Sequence, residues 1–312
     1  MDIQSQIRND RSGVGTLIVV IIIVIVVVAA AAAYVVLSGE EDEYEEETIA
    51  PGTWRAYNFT VDGVERGEID LMIIGQNEKE YFVMATIDGE TPIIQYAVHS
   101  KGAPKGVEVK ATEVLETFEG PKTLTVWEYT LDSTIGPQSV RSYVDPVNEM
   151  SYRDEITFTD PTSSSGGKSV EVRTLKDYEL VFQKSYQESE AIGMTFEYAL
   201  TVGALSFPVS IVCIADCLEG HYGMMYDVTS IFGLQLYFLS DGIHGLPANA
   251  TSTKVTAILS GTIDGDVPVE IWWVYDYGAL FTFYCEQSTQ LIYGFVVTVG
   301  ETDYAFELLN KP

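Results

Sequence analysis

With 312 residues the chain has room for about two ordinary domains beyond an anchor. Its 46 acids against 17 bases give a formal charge of −29, which repels nucleic acid and anionic lipid headgroups and argues against either as a partner. Three cysteines, Cys213, Cys217 and Cys285, are too few for a small disulfide scaffold.

Residues 1–16 read as a cytoplasmic tail. From Leu17 to Leu37 the chain runs LIVVIIIVIVVVAAAAAYVVL, without a charge, Pro or Gly. A helix rises about 1.5 Å per residue, so this run spans about 30 Å, the thickness of a bilayer's hydrocarbon core. Its partner is then membrane lipid. Arg8 and Arg11 precede the run, whereas Glu40, Glu41, Asp42, Glu43, Glu45, Glu46 and Glu47 follow it. Basic flanks stay in the cytoplasm, so a single-pass protein with an extracellular bulk is expected. A cleavable signal has an apolar region of only about 7–15 residues, and no small-x-small site precedes the acids, so the helix is read as retained.

An acidic linker, residues 38–50, leads into β structure. Short runs rich in β-formers, such as Glu68–Ile74 and Tyr81–Ile87, are punctuated by Asp62-Gly63, Asp88-Gly89, Glu119-Gly120 and Asp264-Gly265. Laid on itself with a shift of 141, the chain matches Gly52, Tyr57, Thr60 and Val61 to Gly193, Tyr198, Thr201 and Val202. Tyr143, Tyr152 and Thr157 likewise fall on Tyr284, Tyr293 and Thr298, each set reading as a hairpin. Trp127 and Tyr129 align with Trp273 and Tyr275 if loop lengths compensate. The expected fold is all-β, with two tandem antiparallel β modules (curved sheet, half-barrel or sandwich) after one transmembrane helix. Module 1 spans 51–175 with a Ser/Gly-rich loop at 161–168, a bridge spans 176–192, and module 2 spans 193–312. Each module closes on an alternating strand, Ser169–Thr174 and Asp303–Leu308. The uncharged stretch Tyr198–Ala215 is read as two buried strands meeting near Ser206-Phe207-Pro208 rather than as a second span.

The segment Arg11-Ser12-Gly13-Val14-Gly15 before the apolar run resembles the class III signal of archaeal pilins and archaellins. The Glu typical of bacterial-type pilins is missing, since Leu17, Ile18 and Val19 occupy that neighbourhood. The whole layout resembles archaeal membrane-anchored surface proteins that pair such a helix with tandem Tyr-rich β modules. That resemblance implies surface display, or self-association through the helix, and no catalytic residues.

Among candidate sites, Cys213-x3-Cys217-x3-His221 is the best metal-ligating constellation, with Cys285 or His244 to complete it. Offsets of four and eight residues spread an extended chain by about 13 and 26 Å. Buried cysteines and a turn histidine are therefore preferred, and no metal or cofactor is assigned. A Cys217–Cys285 disulfide is a stronger candidate. Asp264 and Asp266 lack the later acids of a calcium loop. No nucleophile elbow, zincin motif or P-loop occurs, and His99, His221 and His244 sit in no recognisable catalytic setting. Asn58-Phe59-Thr60 and Asn249-Ala250-Thr251 are candidate glycosylation sites. A non-enzymatic, membrane-anchored surface protein that binds a ligand or builds the envelope is expected, ahead of a pilin-like subunit and a cryptic metal-dependent or hydrolytic enzyme.

Overall fold

The computed structural model describes residues 48–87, 93–101, 106–131, 137–146, 150–159, 167–202 and 205–312. The expected tail, membrane helix, most of the acidic linker, the Asp88-Gly89 turn and residues 161–166 of the Ser/Gly-rich loop lie outside them. Among the described residues no helix is long and apolar enough to cross a membrane.

The chain divides into two compact units, residues up to 74 with 79–185, and residues 75–78 with 186–312. Unit 1 carries β1 (Thr48–Ile49), β2 (Trp54–Val61), β3 (Val64–Gln76, its last two residues belonging to unit 2), β4 (Glu80–Ile87), β5 (Ile93–Ser100), β6 (Glu108–Thr117), β7 (Gly120–Leu131), β8 (Gln138–Val144), β9 (Ser151–Thr159), β10 (Lys168–Glu179) and β11 (Phe182–Gln183). Unit 2 carries β12 (Thr195–Val202), β13 (Leu205–Cys217), β14 (Tyr222–Asp227), a one-turn helix α1 (Thr229–Phe232), β15 (Gln235–Ser240), β16 (Thr251–Thr262), β17 (Gly265–Asp276), β18 (Ala279–Glu286), β19 (Ile292–Val299) and β20 (Thr302–Asn310).

Both units are antiparallel meanders in which the first long strand also pairs with the last. In unit 1 the ladder runs β6–β7–β8–β9–β10–β2–β3, and the β4–β5 hairpin shares a core with β3 through Ile69, Leu71, Ile73, Tyr81 and Val83. In unit 2 it runs β16–β17–β18–β19–β20–β12–β13–β14–β15. Side chains of unit 2 from β12 to β15 and from β17 to β20 join one apolar cluster. So many strands can share one core only if the sheet curls around it.

Turn chemistry explains the hairpins. Asp62 and Gly63 both take positive φ, 52° and 76°, the pair of left-handed residues that a tight two-residue turn needs. The tips Thr117-Phe118-Glu119-Gly120 and Thr262-Ile263-Asp264-Gly265 are built alike. In each, the Thr hydroxyl donates to the Gly carbonyl at 2.7 Å and accepts from the acidic residue's N–H at 3.2 Å. The acid then accepts the hydroxyl of the hairpin tyrosine, Tyr152 to Glu119 and Tyr293 to Asp264.

Ser206, Phe207 and Pro208, expected where two strands meet, lie inside β13 instead. Pro208 is tolerated there because β13 pairs with β14 only from Ser210 onward, so its missing N–H falls on a free side. In unit 2, residues 75–78 are tied in by Asn77, whose amide donates to the Ile214 carbonyl at 2.7 Å, and by Tyr186, whose hydroxyl donates to Asp216 at 2.6 Å and lies 3.0 Å from the Gln76 carbonyl. A Cβ on Gly75 would collide with Cys217 Sγ and the Asp216 carbonyl.

A second tyrosine pair repeats with the fold. Tyr57 donates to the Ser151 carbonyl at 3.2 Å and Tyr198 to the Ile292 carbonyl at 2.9 Å, both buried. Burial pushes the Tyr57 phenol up to about 12, so it stays a donor. Tyr57→Phe and Tyr198→Phe each strand a buried carbonyl. Each is expected to cost about 1–3 kcal/mol, measured by chemical denaturation.

Candidate functional site

Because paired strands hold opposed side chains on one face, the ladders define rows across each interior. One row of unit 1 reads Trp127, Ser142, Asp154, Arg173, Phe59. The row at the same register in unit 2 reads Trp272, Phe283, Phe295, Phe306, Leu200. The tryptophan matching Trp127 is thus Trp272, one residue before the expected Trp273, because Trp127 opposes Ser142 and Trp272 opposes Phe283.

Unit 2 fills this row with stacked rings, Phe295 lying 4.5 Å from Phe306 and 6.1 Å from Phe283 between centroids. Unit 1 fills it with hydrogen-bonded polar groups. Ser142 and Ser151 hydroxyls donate to Asp154 Oδ1 at 2.5 and 2.7 Å. Arg173 Nε donates to Glu171 Oε1 at 2.6 Å, with both side chains removed from solvent. Arg55, Gln95, His99, Gln138 and Ser142 are buried as well. This polar belt coincides with a divided core: among the described residues unit 1 has two apolar clusters, with Val61 packed against both, where unit 2 has one.

Burial raises the carboxyl pKa of Asp154, opposed by Arg173 and by the hydroxyls of Ser142 and Ser151. It raises that of Glu171 too, with Arg173 again opposing. His99 moves the other way, to about 3, first through burial and then through Arg55 and Arg173. Its imidazole is therefore neutral at ordinary pH. Neither of its ring nitrogens has a hydrogen-bond partner among the described residues, and the same holds for Glu171 Oε2.

The residues singled out by sequence fall elsewhere. Cys213, Cys217 and Cys285 are free thiols, so the expected Cys217–Cys285 disulfide is not formed. Cys285 opposes Glu270 and Ile292 in the unit 2 sheet, while Cys217 lies beside Gly75 and within electrostatic reach of Cys213. His221 pairs with Asp241 at 3.0 Å and His244 Nδ1 lies 2.6 Å from the Thr289 carbonyl. No group of three or more His, Cys, Asp or Glu that could hold a metal is found among the described residues. Asp264 is occupied by Tyr293 and Lys311. Asn58 and Asn249 are both exposed.

Burial pushes the Cys213 and Cys285 thiols up to about 12, and the thiolate is the reactive form. Both are expected to resist iodoacetamide in the native protein and to react fully after denaturation, as read by mass spectrometry. Native labelling of Cys285 would show that the unit 2 core is open.

Sequence reading missed Arg55, Asp154, Glu171 and Arg173 and set His99 aside. The signal was present in the repeat, since a shift of 141 lays Ser142 and Asp154 on Phe283 and Phe295. No family model, no curated protein and no solved structure matches this chain.

Proposed function

We propose that this is a membrane-anchored, non-enzymatic surface protein in which unit 1 binds a small polar ligand inside its sheet and unit 2 is an apolar copy of the same design. One observation carries the binding role. At one register of one topology, unit 2 closes its interior with Phe283, Phe295 and Phe306, whereas unit 1 places Ser142, Asp154 and Arg173 there. Buried ion pairs are commonly no more stabilising than apolar residues of similar volume. A polar interior in a fold that accepts an apolar one therefore points to use rather than to stability. The anchor and the outward orientation rest on Leu17–Leu37 and its flanking charges.

Native mass spectrometry of the full chain taken directly from its membranes tests the binding role. A small-molecule adduct is expected on the wild type and not on Ser142→Phe, which restores the ring found in unit 2. Equal masses, without adduct, would overturn it. Protease treatment of intact cells tests the orientation, since the part beyond residue 47 should be released. A mature chain starting near Val14 or Gly15 that pellets as filaments would instead favour the pilin-like reading.

A further inference from the structure

Resting on the binding role of unit 1, we propose that its interior takes a neutral, hydroxyl-rich small molecule of the sugar or polyol class, held by His99 and Glu171. The first argument is the set of unmet groups. A neutral imidazole offers one donor and one acceptor, and a carboxylate oxygen offers an acceptor. In His99 and Glu171 these atoms are buried and have no partner among the described residues. Leaving them so is costly, and something must satisfy them. A hydroxyl is the group that both donates and accepts, so a molecule with two or three of them meets the whole set.

Charge narrows the class further. The interior holds two arginines, Arg55 and Arg173, against two carboxyls, Asp154 and Glu171, and its imidazole is neutral. Arg173 is already bonded to Glu171 and Arg55 to the Tyr57 hydroxyl. A charged solute entering this balanced site would lose its hydration with no net counter-charge to meet it. A neutral one avoids that cost.

Room comes from the same comparison of the two units. Tyr81 opposes His99 as Tyr222 opposes Ser240, which puts Ala85 and Ala97 where unit 2 has Tyr226 and Phe238. Ser142 and Val140 likewise stand for Phe283 and Phe281. Several rings that fill unit 2 are thus absent from unit 1, where Ala85 opposes the buried Gln95 and Ser142 stands in the row of Asp154 and Arg173. Room left by smaller side chains beside buried polar groups takes water at the least; the unmet set on His99 and Glu171 fits a polyol as well.

Calorimetry on the full chain in a detergent without a sugar headgroup tests this. The probes are glucose, galactose, inositol and glycerol, with glutamate, lysine and phosphate as charged comparisons. At least one neutral probe is expected to bind. Its affinity should fall about tenfold or more in Glu171→Gln and in His99→Phe, the effect of losing one hydrogen bond to a charged or buried group, and stay unchanged in the unit 2 variant Tyr304→Phe. Ser142→Phe fills the space without altering a charge and should abolish binding while the folded signal persists. If only a charged probe binds, and does so through the same residues, the ligand class is wrong but unit 1 remains a binding module. If no probe binds and Ser142→Phe merely raises stability, the interior holds ordered water alone, and both readings fall.

Discussion

Arg173→Leu is expected to destabilise unit 1 by about 3–5 kcal/mol, the range for removing one partner of a buried ion pair. The Arg173 side chain is 1% exposed and that of Glu171 is 0% exposed, so the carboxylate left behind has no water to turn to. Asp154 loses its opposed cation as well, since the two residues face each other across the β9–β10 ladder. Both carboxyls would then take up protons more readily, and the loss should be smaller at pH 5 than at pH 8. Replacing the network as a whole gives the opposite result. Ser142→Phe, Asp154→Phe, Glu171→Tyr and Arg173→Phe together copy unit 2, where Tyr304 stands at the register of Glu171. That variant should be neutral to about 4 kcal/mol more stable, measured by denaturation followed through Trp127. A cost below about 1 kcal/mol for Arg173→Leu would mean that the pair is hydrated.

This asymmetry shows which part of the fold could be read from sequence. The strand at Asp303–Leu308 behaves as its alternation suggests, with Phe306 and Leu308 inside. The strand at Ser169–Thr174 alternates just as cleanly, and hydropathy would turn Val170 and Val172 inward. The structure turns them outward and buries Glu171 and Arg173. Alternation reports which residues share a face, whereas the ladder decides which face is the interior. The ladder that decides it here is long-range, β10 pairing with β2 more than a hundred residues away. Turns were legible because Asp-Gly and Glu-Gly act locally. The repeat was legible because Tyr57 and Tyr152 and their counterparts Tyr198 and Tyr293 serve the same bonds twice. Chemistry was sought in Cys213, Cys217 and His221, which are conspicuous as residue types, yet the unmet groups belong to ordinary residues, His99 on β5 and Glu171 on β10.

The buried imidazole supplies the second large effect. Folded His99 titrates at about 3 rather than at the ordinary 6.5. Below about pH 6.5 the unfolded chain binds a proton there that the folded chain refuses until about pH 3. Stability is therefore lost as pH falls through that window, by about 1.4 kcal/mol per pH unit and roughly 5 kcal/mol over its full width. Asp154 and Glu171 face the same interior and act with the opposite sign. Their raised carboxyl values let the folded state take up protons first, which adds stability as pH falls toward the ordinary carboxylate range. Arg55 and Arg173 face the same interior. The wild-type curve mixes these contributions, so the informative quantity is its difference from His99→Gln, which keeps a polar group but cannot titrate. The variant is expected to gain on the wild type by about 1 kcal/mol for each unit of acidification from pH 6 to pH 4. At pH 7 to 8 the gap between the two should be constant. Parallel curves down to pH 4 would show that His99 meets solvent or a carboxylate when folded, and would remove it from the unmet groups that define the site.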